Sequence, residues 1–210
     1  MDPSPQSPEP PYIRIMGRIS DRRISVIDHL RSEAVGRLNL KPGDRVFDAG
    51  CGNGGSFPFL LERVGPTGEV VGIEVSTEMA SRARAHIREN GWHNVSVIEA
   101  PAQSAPLEGY FDALLLFAAH EILTSSVALD NLFAHLKSQG CVAAFGAKLT
   151  APPIGWLTNP FFRMISKRWL PISPPIDTQP WRLLEGRLVQ LRVEPRIGGV
   201  MYLVSGKKVD

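Results

Sequence analysis

Three glycines, Gly50, Gly52 and Gly55, follow a short apolar run and an acid, Arg45-Val46-Phe47-Asp48. No other stretch constrains the fold as strongly. Arg45-Val46-Phe47 reads as the end of a buried strand, and beyond the small residues Phe57, Leu60, Leu61 and Val64 recur at helical spacing. Pro58 suits the first turn of that helix, where its missing N–H costs nothing. A strand, a glycine turn and a helix in that order form one wall of a nucleotide-type site. Glycine permits backbone angles closed to other residues and lets a ligand touch the main chain. The helix start aims unpaired N–H groups at whatever binds there.

The spacing Gly50-x-Gly52-x-x-Gly55 also satisfies the dinucleotide fingerprint, so the glycines alone do not choose a ligand. Asp48 helps to choose. A carboxylate at the strand end would repel a pyrophosphate and attract a ligand carrying a sulfonium and an α-ammonium. Such attraction at a partly shielded site is worth ~1–4 kcal/mol at contact distance. S-adenosylmethionine is therefore favoured over a nicotinamide dinucleotide. Asp48-Ala49-Gly50-Cys51-Gly52-Asn53-Gly54 resembles the first motif of the class I S-adenosylmethionine-dependent methyltransferases.

A chain of 210 residues is long enough for one α/β domain with a proper core. Its net charge of +2 is too small to make nucleic acid or an acidic membrane an obligate partner. Cys51 and Cys141 fit a reducing compartment better than a disulfide framework, and they fall short of a zinc site, so no metal is expected. No apolar run approaches the ~20 residues of a membrane span, and Met1-Asp2-Pro3-Ser4-Pro5 lacks a signal-peptide pattern. The expected address is the cytoplasm, with no integral membrane segment.

In chain order, residues 1–11 hold five prolines and read as a disordered tail. Residues 12–40 read as an N-terminal helical segment, in which Ile24, Ile27, Leu30, Ala34 and Leu38 mark one buried face, with Ser20 or Asp21 as its cap. Residues 41–150 hold the cofactor-binding core. Glu69 to Glu74 forms a second strand ending in an acid, 19 positions after Gly55. That is close to the ~20 expected for a carboxylate that takes ribose hydroxyls. Ser76 or Thr77 caps a helix running to about Asn90, which Gly91 stops. Asn94 to Ile98 is the third strand, and Tyr110 to Phe117 resembles the family's fourth strand. Leu129, Leu132, Phe133 and Leu136 stripe the next helix, Leu136 to Cys141 resembles the family's turn into a fifth strand, Cys141 to Phe145, and Cys141 reads as core. Residues 151–187 form an insertion, and residues 188–210 a hairpin pairing Val189–Val193 with Val200–Val204 across 194–199. The fold class is α/β: a Rossmann-like, doubly wound, mostly parallel seven-stranded sheet with a C-terminal antiparallel hairpin.

The resemblance assigns further residues. It implies S-adenosylmethionine as cofactor, S-adenosylhomocysteine as product, and contacts from Asp48, Ala49, Gly50, Cys51, Gly52, Gly54, Glu74, Val75 and Phe117. Met79 stands where related proteins place an apolar side chain under the adenine, although a plain core role suits it equally. Tyr12 or Arg14 is placed over the methionine carboxylate, unless that segment simply packs on the domain. An acid that usually bonds the adenine amino group is missing at Pro101, so Ala102, Gln103 or Glu99 must serve instead.

Ligands in open α/β sheets bind beyond the carboxyl ends of the strands, where Asp48, Glu74, Pro101 and His120 all fall. His120 is the candidate base, with Glu121 orienting it or touching substrate; the competing role for His120 is shaping the pocket. Trp156, Phe161, Phe162, Trp169 and Trp181 are candidates for lining an apolar acceptor pocket under a lid. The same amphipathic pattern over 156–170 also suits a bilayer, a partner subunit in a homodimer, or plain packing. The expected activity is methylation of a small, largely apolar molecule, in the manner of the quinone-biosynthesis methyltransferases. Nucleic-acid N-methylation is disfavoured because Phe117-Ala118-Ala119-His120 lacks the Asn/Asp-Pro-Pro-aromatic stretch, and arsenic methylation because the thiols are too few. A non-methylating protein or cyclase on the same scaffold, and an NAD-linked oxidoreductase, are the alternatives.

Overall fold

The computed structural model describes residues 25–149, 155, 159–160 and 177–210. Seven strands form one sheet: β1 (Arg45–Ala49), β2 (Glu69–Glu74), β3 (Val95–Glu99), β4 (Phe111–Phe117), β5 (Leu136–Ala147), β6 (Leu188–Arg196) and β7 (Met201–Lys208). Their order is β3-β2-β1-β4-β5-β7-β6. The first five run parallel, whereas β7 runs antiparallel between β5 and β6. The order reverses between β1 and β4, which opens a crevice above their carboxyl ends.

The helices whose bounds fall among the described residues are α1 (Ser25–Gly36), α2 (Phe57–Val64), α3 (Thr77–Asn90), α4 (His120–Leu123), α5 (Ser126–Ala134) and α6 (Arg182–Glu185). Val46 to Ala49 of β1 are buried on both faces of the sheet, as a central parallel strand requires. Leu30, Ala34 and Leu38 pack with Val46, Phe57 and Leu60 on one face. Phe47, Leu114, Leu129, Leu132, Trp181 and Tyr202 fill the other. Local signals act where they were read. Pro58 lies in the first turn of α2. Ser76 Oγ accepts from Met79 N at the start of α3, and Gly91 ends it in the left-handed region at φ 65°.

Three expectations are corrected. Strand β5 begins at Leu136, not at Cys141: Leu136 pairs with Phe111, and the register then shifts, with Gln139 at φ 59° absorbing the irregularity. Pairing with β4 thus overrides the local turn chemistry of Ser138-Gln139-Gly140, and the helix that Leu136 was to stripe ends at Ala134. Cys141 is only half-buried, at the margin of the core. In the hairpin, the connection shrinks to a single 3-10 turn at Ile197–Gly199. Pro195 lies inside β6 opposite Tyr202, tolerated because β6 is the outer strand.

An ion-pair network ties α1 to that outer strand. Arg37 Nη2 and Arg196 Nη2 both donate to Glu194 Oε2, at 2.9 and 2.8 Å, and Arg196 Nε donates to Glu33 Oε2 at 3.0 Å. The arginines hold the Glu33 and Glu194 carboxyls below their ordinary pKa. Tyr12, Arg14, Ser20 and Asp21 lie outside the described residues. No described helix is long and apolar enough to cross a membrane.

Candidate active site

Strands β1 and β2 end side by side, Ala49 registering with Ile73, so the glycine turn and Glu74 share one rim. Gly50 N and Cys51 N both donate to Ile73 O, at 2.8 and 3.1 Å, tying the turn to β2. The Glu74 carboxylate accepts from Gly52 N and from Ser76 N, each at 2.9 Å. Burial raises its pKa, and these amide bonds oppose that rise. Gly50, at φ 77°, has no room for a side chain: a Cβ there would stand 2.9 Å from Ala119 Cβ. The turn is therefore clamped between Glu74 on one side and the β4–α4 connection on the other.

Asp48 lies beneath this turn, 1% exposed, and neither of its carboxylate oxygens has a hydrogen-bond partner. Burial pushes its pKa up to about 7; Arg31 and the nearby Ser56 hydroxyl pull it down, and Glu74 pushes it further up. Ser56 acts by proximity only, since no hydrogen bond satisfies the carboxylate. Arg31 comes from α1. Its guanidinium lies 5.1 Å from the centre of the Phe117 ring, and a Cβ on Gly55 would meet it at 2.8 Å. Arg31 Nη1 donates to Asp28 at 3.3 Å, while its buried Nε has no partner. A buried carboxyl with no hydrogen-bond partner, a part-buried guanidinium with an unused N–H and a glycine-rich turn beside them match an amino-acid group that carries extra positive charge. S-adenosylmethionine has that group.

Sequence reasoning passed over Arg31. The signal was present: Arg31 stands four residues after Ile27 and three before Ala34, a cation on the apolar stripe of α1.

The other expected residues fall as follows. Cys51 is buried, its thiol donating to Gly52 O at 3.7 Å within the turn; a Cβ on Gly72 would meet the sulfur at 2.7 Å, and burial raises its pKa well above the usual range. Ala49 is buried in the sheet. A Cβ on Gly54 would strike the Phe57 ring at 2.5 Å. Met79 is buried, with its methyl 3.4 Å from where a Gly52 Cβ would be, and Val75 is 67% exposed beside Glu74. Glu99 is engaged by Arg84 Nη1 and the Thr77 hydroxyl, each at 2.7 Å. Ala102 is buried, its carbonyl accepting from Asn131 Nδ2 at 2.9 Å, and Gln103 is exposed.

Phe117 stacks on Phe145 at 4.7 Å. Beyond it Ala118 takes a left-handed φ of 58° and turns the chain into α4, which starts with half-buried His120 and exposed Glu121. Glu121 is close enough for its charge to raise the Glu74 pKa. Trp181 is buried against Tyr202, ring centres 4.9 Å apart. Trp156, Phe161, Phe162, Trp169 and Tyr12 lie outside the described residues. Among the described residues no group of three His, Cys, Asp or Glu could hold a metal ion.

A family model described as a methyltransferase domain matches residues 46–140. A demethylmenaquinone methyltransferase of Anoxybacillus flavithermus is 27% identical over 236 aligned positions, covering 98% of each chain. That of Geobacillus kaustophilus is 35% identical over 109 residues, 48% of this chain and 47% of its own length. A solved structure of a SAM dependent methyltransferase from Aquifex aeolicus shares the fold, with TM-score 0.69 at 21% identity over 93% of this chain and 98% of that one.

Proposed function

We propose that this chain, a class I S-adenosylmethionine-dependent methyltransferase, methylates a small, largely apolar ring compound of the quinone class. Its cofactor is S-adenosylmethionine and its product S-adenosylhomocysteine. An NAD-linked oxidoreductase and a non-methylating protein are not favoured, given the family match and the named relatives. The observation that carries the site assignment is the unpaired Asp48 carboxylate under the bare glycine turn.

In this reading the Asp48 charge acts on the sulfonium and ammonium, and Arg31 takes the methionine carboxylate. The Glu74 carboxylate, held in place by two amides, keeps lone pairs for the ribose hydroxyls. Val75 and Met79 flank the adenine, Ala102 and Gln103 meet its polar edge, and Phe117 lies beside the methionine chain. When bound, the cofactor supplies an electrophilic methyl group on a sulfonium.

The protein's share of the chemistry is largely positioning, with the acceptor's nucleophilic atom held in line at ~3 Å. Methyl transfer to the acceptor would leave one proton to be removed from it. His120 accepts that proton, with Glu121 orienting it. Of the aromatic residues expected to line the acceptor site, Trp181 lies among the described residues and is assigned that role here; a homodimer is tested by the mass in solution. We further place the enzyme in the cytoplasm, with no nucleic-acid partner.

The test is calorimetric titration with S-adenosylmethionine, followed by S-adenosylhomocysteine release with reduced 2-prenyl-1,4-naphthoquinone. Micromolar binding with turnover is expected. Binding of NADH in its place, or methylation of tRNA with none of the naphthoquinol, would overturn the proposal.

A further inference from the structure

Tyr202 of β7 and Lys148, one residue beyond β5, are polar groups that the reaction above leaves unused. Tyr202 registers with Gly146 across the strand pair. Its ring lies over that glycine, since a Cβ at 146 would come 2.7 Å from the hydroxyl oxygen. Only a residue without a side chain lets the phenol cross β5 towards β4. Tyr202 is 1% exposed. Burial and the charge of Asp177 push its pKa up, so the group stays a donor.

Lys148 is half-buried and its ammonium lies 5.9 Å from the centre of the Trp181 ring. It makes no ion pair among the described residues. Trp181 in turn packs on Tyr202, so the three side chains are contiguous. Asp177, the acid that acts on Tyr202, is exposed and its Oδ1 accepts from Gln179 N at 2.7 Å.

The placement relates them to the reaction. Phe117 of β4 pairs with Phe145 of β5, and His120 and Lys148 each stand three positions further on. Ala119 packs in the same core as Trp181 and Tyr202, so this cluster and the start of α4 share one face of the sheet as well as one rim.

We propose that the Tyr202 hydroxyl and the Lys148 ammonium form a subsite for a negatively charged oxygen on the methyl acceptor, an ionised ring hydroxyl. This rests on the acceptor class proposed above and sharpens it. A donor and a cation both present positive charge, and Trp181 provides an apolar wall for the ring that bears the oxygen. Ionising that hydroxyl raises the electron density on the neighbouring ring carbons, which makes them nucleophiles.

The probe is 1-naphthol, whose absorbance distinguishes the hydroxyl from the oxyanion, titrated into the full-length protein with S-adenosylhomocysteine present. The wild type is expected to bind it as the oxyanion at a pH where free 1-naphthol is neutral. Tyr202→Phe and Lys148→Gln should each weaken binding about tenfold, the loss expected for one charge-assisted hydrogen bond, and return the neutral spectrum. Calorimetric affinity for S-adenosylmethionine should stay at the wild-type value in both. No binding by the wild type, or an oxyanion spectrum unchanged in both variants, would overturn the subsite. Spectra that respond as expected, without methylation of any naphthol or naphthoquinol, would support the subsite and overturn the acceptor class instead.

Discussion

The guanidinium of Arg31 is close enough to Asp48 to pull on its carboxylate, yet the two form no ion pair. Each keeps unused hydrogen-bonding capacity in a buried place beside the glycine turn. Such an arrangement costs stability in the cofactor-free protein, and the cost is what a charged ligand can recover.

Asp48→Asn tests this through pH. The folded pKa, about 7, lies above the ordinary carboxylate value, so the folded protein holds a proton that the unfolded chain has released. The associated stability is fully present below about pH 4 and is lost as the pH rises through 7, at up to ~1.4 kcal/mol per unit. Without cofactor, Asp48→Asn should melt close to the wild type at pH 4 and above it at pH 8, by about 2–4 °C per kcal/mol. Wild-type affinity for S-adenosylmethionine should rise from pH 6 to pH 8, because the ligand favours the carboxylate form, whereas the variant should show a flat and weaker profile. Parallel profiles would remove Asp48 from this role.

Glu74→Ala removes the acceptor of two backbone amides, Gly52 N and Ser76 N, along with the proposed ribose contact. Cofactor affinity should fall ten- to a hundredfold, as for loss of hydrogen bonds to a charged group. Glu74→Gln retains one carbonyl oxygen and should lose less. Calorimetry gives both values, and wild-type affinity in the alanine variant would contradict the assignment.

Arg196→Gln loosens the network that holds α1 against β6, far from the glycine turn but on the helix that carries Arg31. The pairs are partly exposed, so the stability loss should be small, about 0.5–1 kcal/mol. The kinetic loss should fall on the KM for S-adenosylmethionine, with kcat nearly unchanged, and added salt should shrink the gap from the wild type. Equal losses in kcat and KM would show that the network does not act through Arg31.

His120→Ala should lower kcat about a hundredfold if His120 takes the proton, with cofactor affinity within twofold of the wild type. An acceptor supplied already ionised should restore part of the rate. Loss of cofactor affinity without a change in kcat would instead make His120 a pocket residue.

Much of the fold was legible because its signals are local. The glycine turn, the Ser76 cap and Gly91 stop of α3, and the apolar stripes each lie within one stretch of chain. What escaped reading depends on pairing between distant stretches. Leu136 to Gly140 carries turn residues, yet its edge is taken up by β4, so it becomes strand. Arg31 gains meaning only when α1 lies over Gly55 and Phe117. The crossing of Tyr202 over Gly146 joins two strands, and neither residue alone signals it. The missing acid at Pro101 was visible, but Glu99 as its substitute is already engaged by Arg84 and Thr77.

The insertion of β7 between β5 and β6 has a consequence for biogenesis. A ribosome releases the glycine turn and all five parallel strands long before Met201–Lys208 emerges. Until then β5 has a bare edge and β6 has no neighbour to pair with. A nascent chain stalled at that stage would be exposed to strand-to-strand association with its own copies. The late strand thus both finishes the enzyme and ends its most vulnerable interval.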